Sequence, residues 1–371
     1  MNIYEGLMAL TEDESLDGSF FFADRELDGE WYRIFNYHLA SYSQWLLPYA
    51  LESRGITFHR DTKRIVSRPF TKFFNLNENP MTMGLDLSTV VNVWDKMDGS
   101  MISTMDISDG SSGVGFWLKT KGALESEQAI AANKLIRTDD YVELYNFCLA
   151  HTAIGNTVIM EYIGPLNRIV IPYSKHELTV LGIRNTETGE EVSLTSYEDM
   201  SKELHLVKPH NVDDGETFAA SIPDMVDIEG FVIQLESGLR FKVKTEWYMK
   251  LHFIKDSINS QRRLFEAVVY GTSDDIKAQF WDDPISIGVI EDMENKVFPI
   301  YNNMVSTVED FYNSNKGLDR KEYAIKGTNE LPKMLFGLVM NKYVGKVFDY
   351  KEIMIKYRKD FGIKEDPIAH D

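Results

Sequence analysis

The sequence predicts an α+β protein, with a domain of antiparallel sheets and flanking helices over 1–250 followed by an all-helical C-terminal domain over 251–371. Three observations carry this. The chain has 371 residues, more than one hydrophobic core usually organises. Up to Tyr248 the apolar residues fall in short β-branched and aromatic runs broken by turn signals. Beyond Tyr248 they recur at steps of three and four, the period of an amphipathic helix.

Taken in order, the strand region has two well-marked pairs. Thr157–Tyr162 and Arg168–Tyr173 flank Gly164-Pro165-Leu166-Asn167, a turn sequence, and read as two strands. Between them and the next pair, residues 185–227 are polar and loop-rich and read as a surface excursion. Gly230–Leu235 and Leu239–Val243 flank Glu236-Ser237-Gly238 and read as a second pair. Alternation there puts Lys242 and Lys244 on one face with Val243 behind. In the helical part, Ile290, Met293, Val297, Tyr301, Met304, Val308 and Phe311 form one stripe, which Pro299 should kink or split. Leu335, Leu338 and Val339, then Ile353, Tyr357 and Phe361, continue the pattern.

Composition narrows the function. A hydrophobic fraction of 43% and a charged fraction of 26% are ordinary for a globular protein. A single cysteine, Cys148, excludes a disulfide framework and a cysteine-rich zinc site. No apolar run approaches the roughly 20 residues needed to span a bilayer, and the first residues lack the basic and apolar regions of a secretory signal. A cytoplasmic protein without a membrane partner is expected. The net charge of −19 argues against a uniformly basic nucleic-acid coat. Acidic residues crowd Glu12–Glu30 and Glu187–Asp227, whereas Arg54, Lys72, Lys96, Lys119, Lys121, Lys242 and Lys244 gather around the chemistry-bearing motifs. A polyphosphate pocket inside an acidic shell accounts for both.

Those motifs begin with Lys96-Met97-Asp98-Gly99-Ser100. A Lys-x-Asp-Gly match alone is weak, since about a tenth of chains this long contain one by chance. It gains weight from three clusters further along the chain: Glu161 inside the apolar run 157–161, then Glu229-Gly230, then Lys242-Val243-Lys244. Attack by a lysine on the α-phosphate of a nucleoside triphosphate needs an unprotonated amine, and free lysine near neutral pH is almost wholly ammonium. Neighbouring cations, desolvation or a metal make such an amine reactive. Lys242 and Lys244 supply a cationic field and phosphate contacts. Glu161 in an apolar strand is costly without a partner, either a surface arginine such as Arg168 or a ribose hydroxyl. Glu229, otherwise a loop carboxylate, stands where a metal ligand is expected.

The order of these clusters is similar to the motif series of covalent nucleotidyltransferases, the polynucleotide ligases and RNA capping enzymes. The surrounding sequence resembles the bacteriophage T4 RNA ligase 1 family through Ser43–Pro48, Glu52–Ile56 and Ser67–Pro80, then Lys121-Gly122, Ser126–Ala129 and Asn167–Val170, and finally Glu229–Val232 and Phe241–Tyr248. In the helical part only Ser273–Ala278 stands out. The resemblance implies an ATP-grasp-like nucleotidyltransferase domain and an ATP-dependent RNA ligase. Lys96 would carry AMP, with Lys121 a further essential lysine. Tyr37, Arg54, Lys72, Lys242 and Lys244 would meet phosphates, and Glu161 the ribose. Leu181 and Val232 would sandwich adenine, and Phe74 would give support. The implied cofactors are ATP and Mg²⁺ or Mn²⁺, with Glu229, Asp274 and Asp275 as metal residues. Asp274 and Asp275 also suit a helix N-terminus behind Ser273. The implied partner is RNA with 5′-phosphate and 3′-hydroxyl ends, notably tRNA nicked in the anticodon loop, bound by a monomer in a phage-infected host cytoplasm. Arg262-Arg263 and Lys356-Tyr357-Arg358-Lys359 suit either RNA phosphates or solvated helix faces. A DNA ligase or capping enzyme is disfavoured because a β-barrel normally follows their Lys-x-Lys strand, and an idle RNA-binding module because every motif is intact.

Overall fold

The computed structural model describes residues 2–108 and 115–364. The last residues of the expected helical domain, 365–371, lie outside the described residues. The chain forms two compact units that divide between Lys250 and Leu251.

The first unit opens with helix α1 (Ile3–Glu12), capped reciprocally by Asn2 and Glu5. Strands β1 (Phe20–Leu27), β2 (Glu30–Tyr37), β3 (Thr57–His59) and β4 (Ile65–Ser67) then pair antiparallel in chain order. Leu7, Phe20, Phe35, Phe58 and Phe74 make their core.

Next come β5 (Val90–Asp95), β6 (Ser100–Asp106), β7 (Phe116–Thr120), helices α2 (Glu127–Leu135) and α3 (Val142–Ala153), and β8 (Asn156–Ile163). They are followed by β9 (Glu177–Asn185), the short β10 (Glu191–Val192), α4 (Gly215–Ser221), β11 (Gly230–Leu235) and β12 (Arg240–Lys244). These strands build a five-stranded sheet ordered β10-β9-β8-β6-β7 and a three-stranded sheet ordered β12-β11-β5, with every pairing antiparallel. Ala132, Ile136, Leu144 and Cys148 of α2, α3 and the turn between them cover one face of the larger sheet, against Ile102, Leu118, Val158 and Met160. Strand alternation sends Met101, Lys119 and Glu161 to the other face. In the smaller sheet Phe231, Ile233, Phe241 and Val243 make a core, and the opposite face carries the row Trp94, Val232, Lys242. The uncovered faces of both sheets line the same cavity.

Three sequence expectations need correction here. Arg168–Tyr173 is not a strand; Glu177–Asn185 pairs with β8 instead. Pro172 cannot donate to a ladder, and the amides of Val170 and Ile171 are spent on the Asp98 carboxylate. The stretch 185–227 is not all surface: it holds β10 and α4, and Leu204, Val207 and Ile222 are buried. Its polar residues cap and turn the chain, while Leu204, Val207, Ala219 and Ile222 face inward.

The third correction lies in the second unit, which is helical throughout its described residues. It contains most of α5 (Glu246–Asn259), then α6 (Gln261–Tyr270), α7 (Ser273–Gln279), α8 (Pro284–Asn315), α9 (Arg320–Glu330), α10 (Lys333–Tyr343) and α11 (Tyr350–Lys356). Of the kink or split expected at Pro299, the split is absent, since α8 runs unbroken for 32 residues. Buried residues on both sides of it, Ile290 and Val297 before and Met304, Val308 and Phe311 after, fix both halves in one core, which offsets the lost backbone bond.

Candidate active site

Lys96 leaves the end of β5, where its backbone N–H donates to Gly230 O at 2.9 Å and so extends the pairing with β11. Its Nζ lies 2.7 Å from Glu229 Oε1, and the same oxygen is 3.0 Å from Lys244 Nζ. Glu229 is 2% exposed, and its second oxygen, Oε2, has no hydrogen-bond partner among the described residues. Two glycines permit this convergence. A Cβ on Gly230, at φ +143°, would meet Val243 O at 2.0 Å, and one on Gly99 would meet Tyr162 O at 2.4 Å.

Asp98 turns the other way and is buried. Oδ2 accepts from Val170 N at 2.8 Å and Ile171 N at 2.7 Å, while Oδ1 accepts from the Tyr248 hydroxyl at 2.7 Å. The Tyr173 hydroxyl in turn accepts from Asp98 N at 3.1 Å. Burial, with carboxylates nearby, pushes both tyrosines well above their ordinary value, so they stay neutral. Asp98 therefore anchors the loop that follows Lys96 to the strap 168–173 and to the start of α5.

The cavity beside Lys96 has a volume of about 300 Å³. One group of its lining residues is cationic. Lys72 Nζ donates to the Tyr37 hydroxyl at 3.1 Å, Lys121 Nζ stands 4.8 Å from the Tyr37 ring centroid, and Arg54 completes the group. Burial opposes ionisation of Tyr37, but Lys72, Lys121 and Arg54 together hold it below its ordinary value. Burial pushes Lys121 and Arg54 down as well. Lys242 is lowered to about 7, by burial first and then by Lys96, Lys244 and Lys72. The other group of lining residues is apolar: Phe70, Trp94, Leu181, Val207 and Val232. Glu161 joins the lining from the middle of β8, a central rather than an edge strand. Burial pushes its carboxyl up to about 8, against the pull of Lys96 and Arg54, so near neutral pH it is an acid able to donate or accept.

The structure thus gathers Tyr37, Arg54, Lys72, Lys96, Lys121, Glu161, Leu181, Val232 and Lys242 around one cavity, with Glu229 and Lys244 bonded behind Lys96. Phe74 is buried in the core of the first sheet, its ring 5.5 Å from Lys72 Nζ. Asp274 and Asp275 belong to the second unit, in the first turn of α7. Asp274 is exposed and 3.1 Å from Lys277. Ser273 is the first residue of α7 rather than its cap, and its hydroxyl donates to Glu294 at 2.6 Å. Arg262-Arg263 lies at the start of α6, and Lys356 to Lys359 end α11 and form the next turn.

Sequence reasoning missed the partners of Asp98 and gave no role to Lys119. That lysine is fully buried, its Nζ donating to Gly55 O at 2.9 Å and Thr120 O at 3.0 Å. Burial lowers it to about 7, yet both contacts are acceptors that favour an ammonium. It ties the loop of Arg54 to the strand leading to Lys121. Two-residue spacing from Lys121 was the available signal. Glu52 was also missed: half-buried between Arg68 at 2.8 Å and Arg184 at 2.7 Å, it braces the same loop.

Among the described residues no group of three or more His, Cys, Asp or Glu is arranged to hold a metal ion, and no helix is long and apolar enough to cross a membrane. In comparison with known proteins, residues 52–253 match the RNA ligase family model, and residues 255–365 match the model of the T4 RNA ligase 1 C-terminal domain. A protein of Thermovibrio ammonificans carrying an RNA ligase name is 30% identical over 242 residues, covering 62% of this chain and 61% of that protein. RNA ligase 1 of Bacteriophage TS2126 is 25% identical over 240 residues, covering 62% of this chain and 59% of the phage protein. The chain thus spans about three fifths of the length of these relatives. Among solved structures, an archaeal ATP-dependent RNA ligase superposes with a TM-score of 0.44 at 15% identity, covering 88% of this chain and 93% of its own. A Naegleria gruberi RNA ligase variant with ATP and Mn gives 0.37 at 15% identity, covering 49% and 58%. With a family model matched over more than half its length, the chain belongs to the T4 RNA ligase 1 family of RNA ligases.

Proposed function

We propose that the protein is an ATP-dependent RNA ligase that joins 5′-phosphate and 3′-hydroxyl RNA ends through a lysyl-AMP on Lys96. The observation that carries this is the position of Lys96, which lines a cavity walled by a cationic group and an apolar group and is hydrogen-bonded from behind by Glu229. The apolar walls suit a purine, with Leu181 and Val232 against its faces, and Glu161 suits the ribose. Tyr37, Arg54, Lys72, Lys121 and Lys242 suit a triphosphate.

The reaction runs in three in-line transfers. The Lys96 amine, freed of its proton and of Glu229, attacks the α-phosphorus; the N–P bond forms and pyrophosphate leaves. An oxygen of the RNA 5′-phosphate then takes the adenylyl group from Lys96, restoring the amine. The RNA 3′-hydroxyl finally attacks the activated 5′-phosphorus, losing its proton as the phosphodiester forms and AMP leaves. In each step Lys242 and Lys244 neutralise charge that grows on the transferring or leaving phosphate.

A divalent cation fits beside Glu229. Its buried Oε2 has no hydrogen-bond partner among the described residues, as expected of a carboxylate oxygen reserved for a hard cation. Mg²⁺ or Mn²⁺ held there would supply charge neutralisation at the phosphates. For Asp274 and Asp275 the local contacts favour a helix-end role, Asp274 being exposed and paired with Lys277.

Incubation with α-labelled ATP and a denaturing gel tests the reading, with GTP in parallel. The chain turns into helix α5 directly after Lys242 and Lys244, rather than into a barrel, which supports an RNA ligase over a capping enzyme or DNA ligase. Label transfer from GTP in preference to ATP would reverse that choice. The natural substrate we propose is tRNA nicked in the anticodon loop, with the helical unit supplying the preference, the protein acting as a monomer in the cytoplasm of a phage-infected host.

A further inference from the structure

Among the apolar walls of the nucleotide cavity stands one charged side chain, Arg240, which also lines a second cavity of about 420 Å³. The two cavities share Trp94, Leu181, Val207 and Arg240 in their walls. Arg240 projects from the same face of β12 as Lys242, two residues away. It is held on all sides. Its guanidinium carbon lies 4.6 Å from the Phe70 ring centroid and 4.7 Å from that of Trp94. Its Nε donates to Glu191 Oε1 at 3.0 Å. Glu191 is fixed in turn by Gln234 Nε2 at 3.2 Å, whose Oε1 accepts from Asn92 at 2.9 Å. An arginine neutralised by a carboxylate and flanked by two rings is not poised for a phosphate. It fills space.

We propose that the second cavity is an annex of the base subsite, and that the Glu191–Arg240 latch closes it and so sets the size of purine the enzyme accepts. This rests on the nucleotide reading above. The wall beyond the latch is more apolar than polar, with Ile183, Leu194, Leu206 and Pro209 beside the hydroxyls of Ser193, Thr195 and Ser201 and one further carboxylate, Glu198. Such a space suits a neutral aromatic group on the edge of a purine. An apolar cavity of ~150 Å³ already takes a benzene ring, and the annex is larger. The class of ligand is therefore a purine nucleoside triphosphate with a bulky base substituent. Removing Arg240 joins the two spaces. The change is mild for the fold, because Glu191 sits on a two-residue edge strand with its side chain 32% exposed and stays within reach of solvent.

The test uses the full chain and single-turnover self-adenylation with ATP and with N6-benzyl-ATP, for the wild type, Arg240→Ala and Glu191→Ala. The readout is the ratio of the two rates, which is insensitive to a general loss of activity. The wild type should strongly prefer ATP. In Arg240→Ala the ratio should move toward the benzyl analogue by ~10-fold or more, the scale on which apolar pockets discriminate added groups. Glu191→Ala, which frees the arginine without removing it, should move it in the same direction by less, and this variant carries the test if Arg240→Ala does not fold. A wild-type ratio in variants that still adenylate with ATP overturns the proposal. So does a wild-type enzyme that takes both nucleotides equally well. A wild-type protein that takes no label from ATP overturns the nucleotide reading instead, and the annex with it.

Discussion

Glu229 touches Lys96 and Lys244 through one oxygen and leaves the other without a hydrogen bond among the described residues, so one carboxylate oxygen serves both lysines. If Lys96 is the nucleophile, Lys96→Ala abolishes the covalent adenylate and ligation of ordinary ends. It should still seal RNA already adenylated at its 5′ end, because that step does not use the amine. A label-bearing adduct in Lys96→Ala, read on a denaturing gel, would refute the assignment. Lys242 yields a second prediction through its charge. Burial and the neighbouring lysines place it at about 7, so near pH 8 it is mostly neutral. A triphosphate favours the charged form, so binding should take up a proton. The uptake should be largest between about pH 7 and the raised value of the bound state and vanish well below pH 7, where the lysine is already charged. Calorimetry of the binding of an ATP analogue with a non-cleavable α,β-methylene bridge, in two buffers of different protonation enthalpy, measures this. Uptake that persists unchanged in Lys242→Met removes Lys242 as its source. Lys96, Glu229, Lys242 and Lys244 were legible in the sequence because each stands in a short local motif. Tyr173 and Tyr248 were not, since they reach Asp98 from 75 and 150 residues away.

At the scale of elements the strap 168–173 shows why local propensity misleads. Its β-branched residues look like a strand, yet the hydrogen bonds that would join a sheet go to a side chain 72 and 73 residues earlier. Hairpin β11–β12 was readable to within a residue at its ends because its turn and alternation are both local. β9 was not, because its polar start, Glu177, and its own bulge, which leaves Leu181 unpaired between Val180 and Gly182, break the alternation. Asp98 also makes the strap testable. Tyr248→Phe removes one hydrogen bond to a buried carboxylate and should lower unfolding stability by about 1.5–3 kcal/mol in urea. Asp98→Ala strands two amides and a hydroxyl and should cost more. A Tyr248→Phe protein as stable as wild type and equally fast in adenylation would show that the bond to Asp98 holds nothing in place. Glu52 belongs to the same scale. Glu52→Gln leaves Arg68 and Arg184 without their shared charge in a buried place, and a loss of about 3–5 kcal/mol is expected. Adenylation should fall with it, because the loop it braces carries Arg54.

For the whole molecule the question is what each unit does alone. Every residue lining the cavity beside Lys96 lies before Lys250, and so do Glu229, Lys244 and Tyr248 behind it. The helical unit has its own core of Leu264, Phe265, Ile290, Val308 and Leu338. The change from period-2 runs to period-3.6 stripes made that change of architecture readable, because periodicity depends on near neighbours; the pairing of strands into three sheets depends on distant ones and was not readable. If the cavity is the adenylation site, a chain ending at Lys250 should still form the Lys96 adduct, provided the cut helix α5 does not cause aggregation. A tail of solubilising charged residues after the cut controls for that. Sealing of nicked tRNA should fall far more than sealing of short single strands, because recognition of a folded RNA by shape needs additional surface. Both substrates must be compared at one ionic strength, since phosphate contacts make RNA binding fall steeply with salt. A soluble, folded truncation that loses adenylation as completely as tRNA repair would assign residues beyond 250 to the chemistry itself. Asp274 and Asp275, the acidic pair in the first turn of α7, would then be the first to replace.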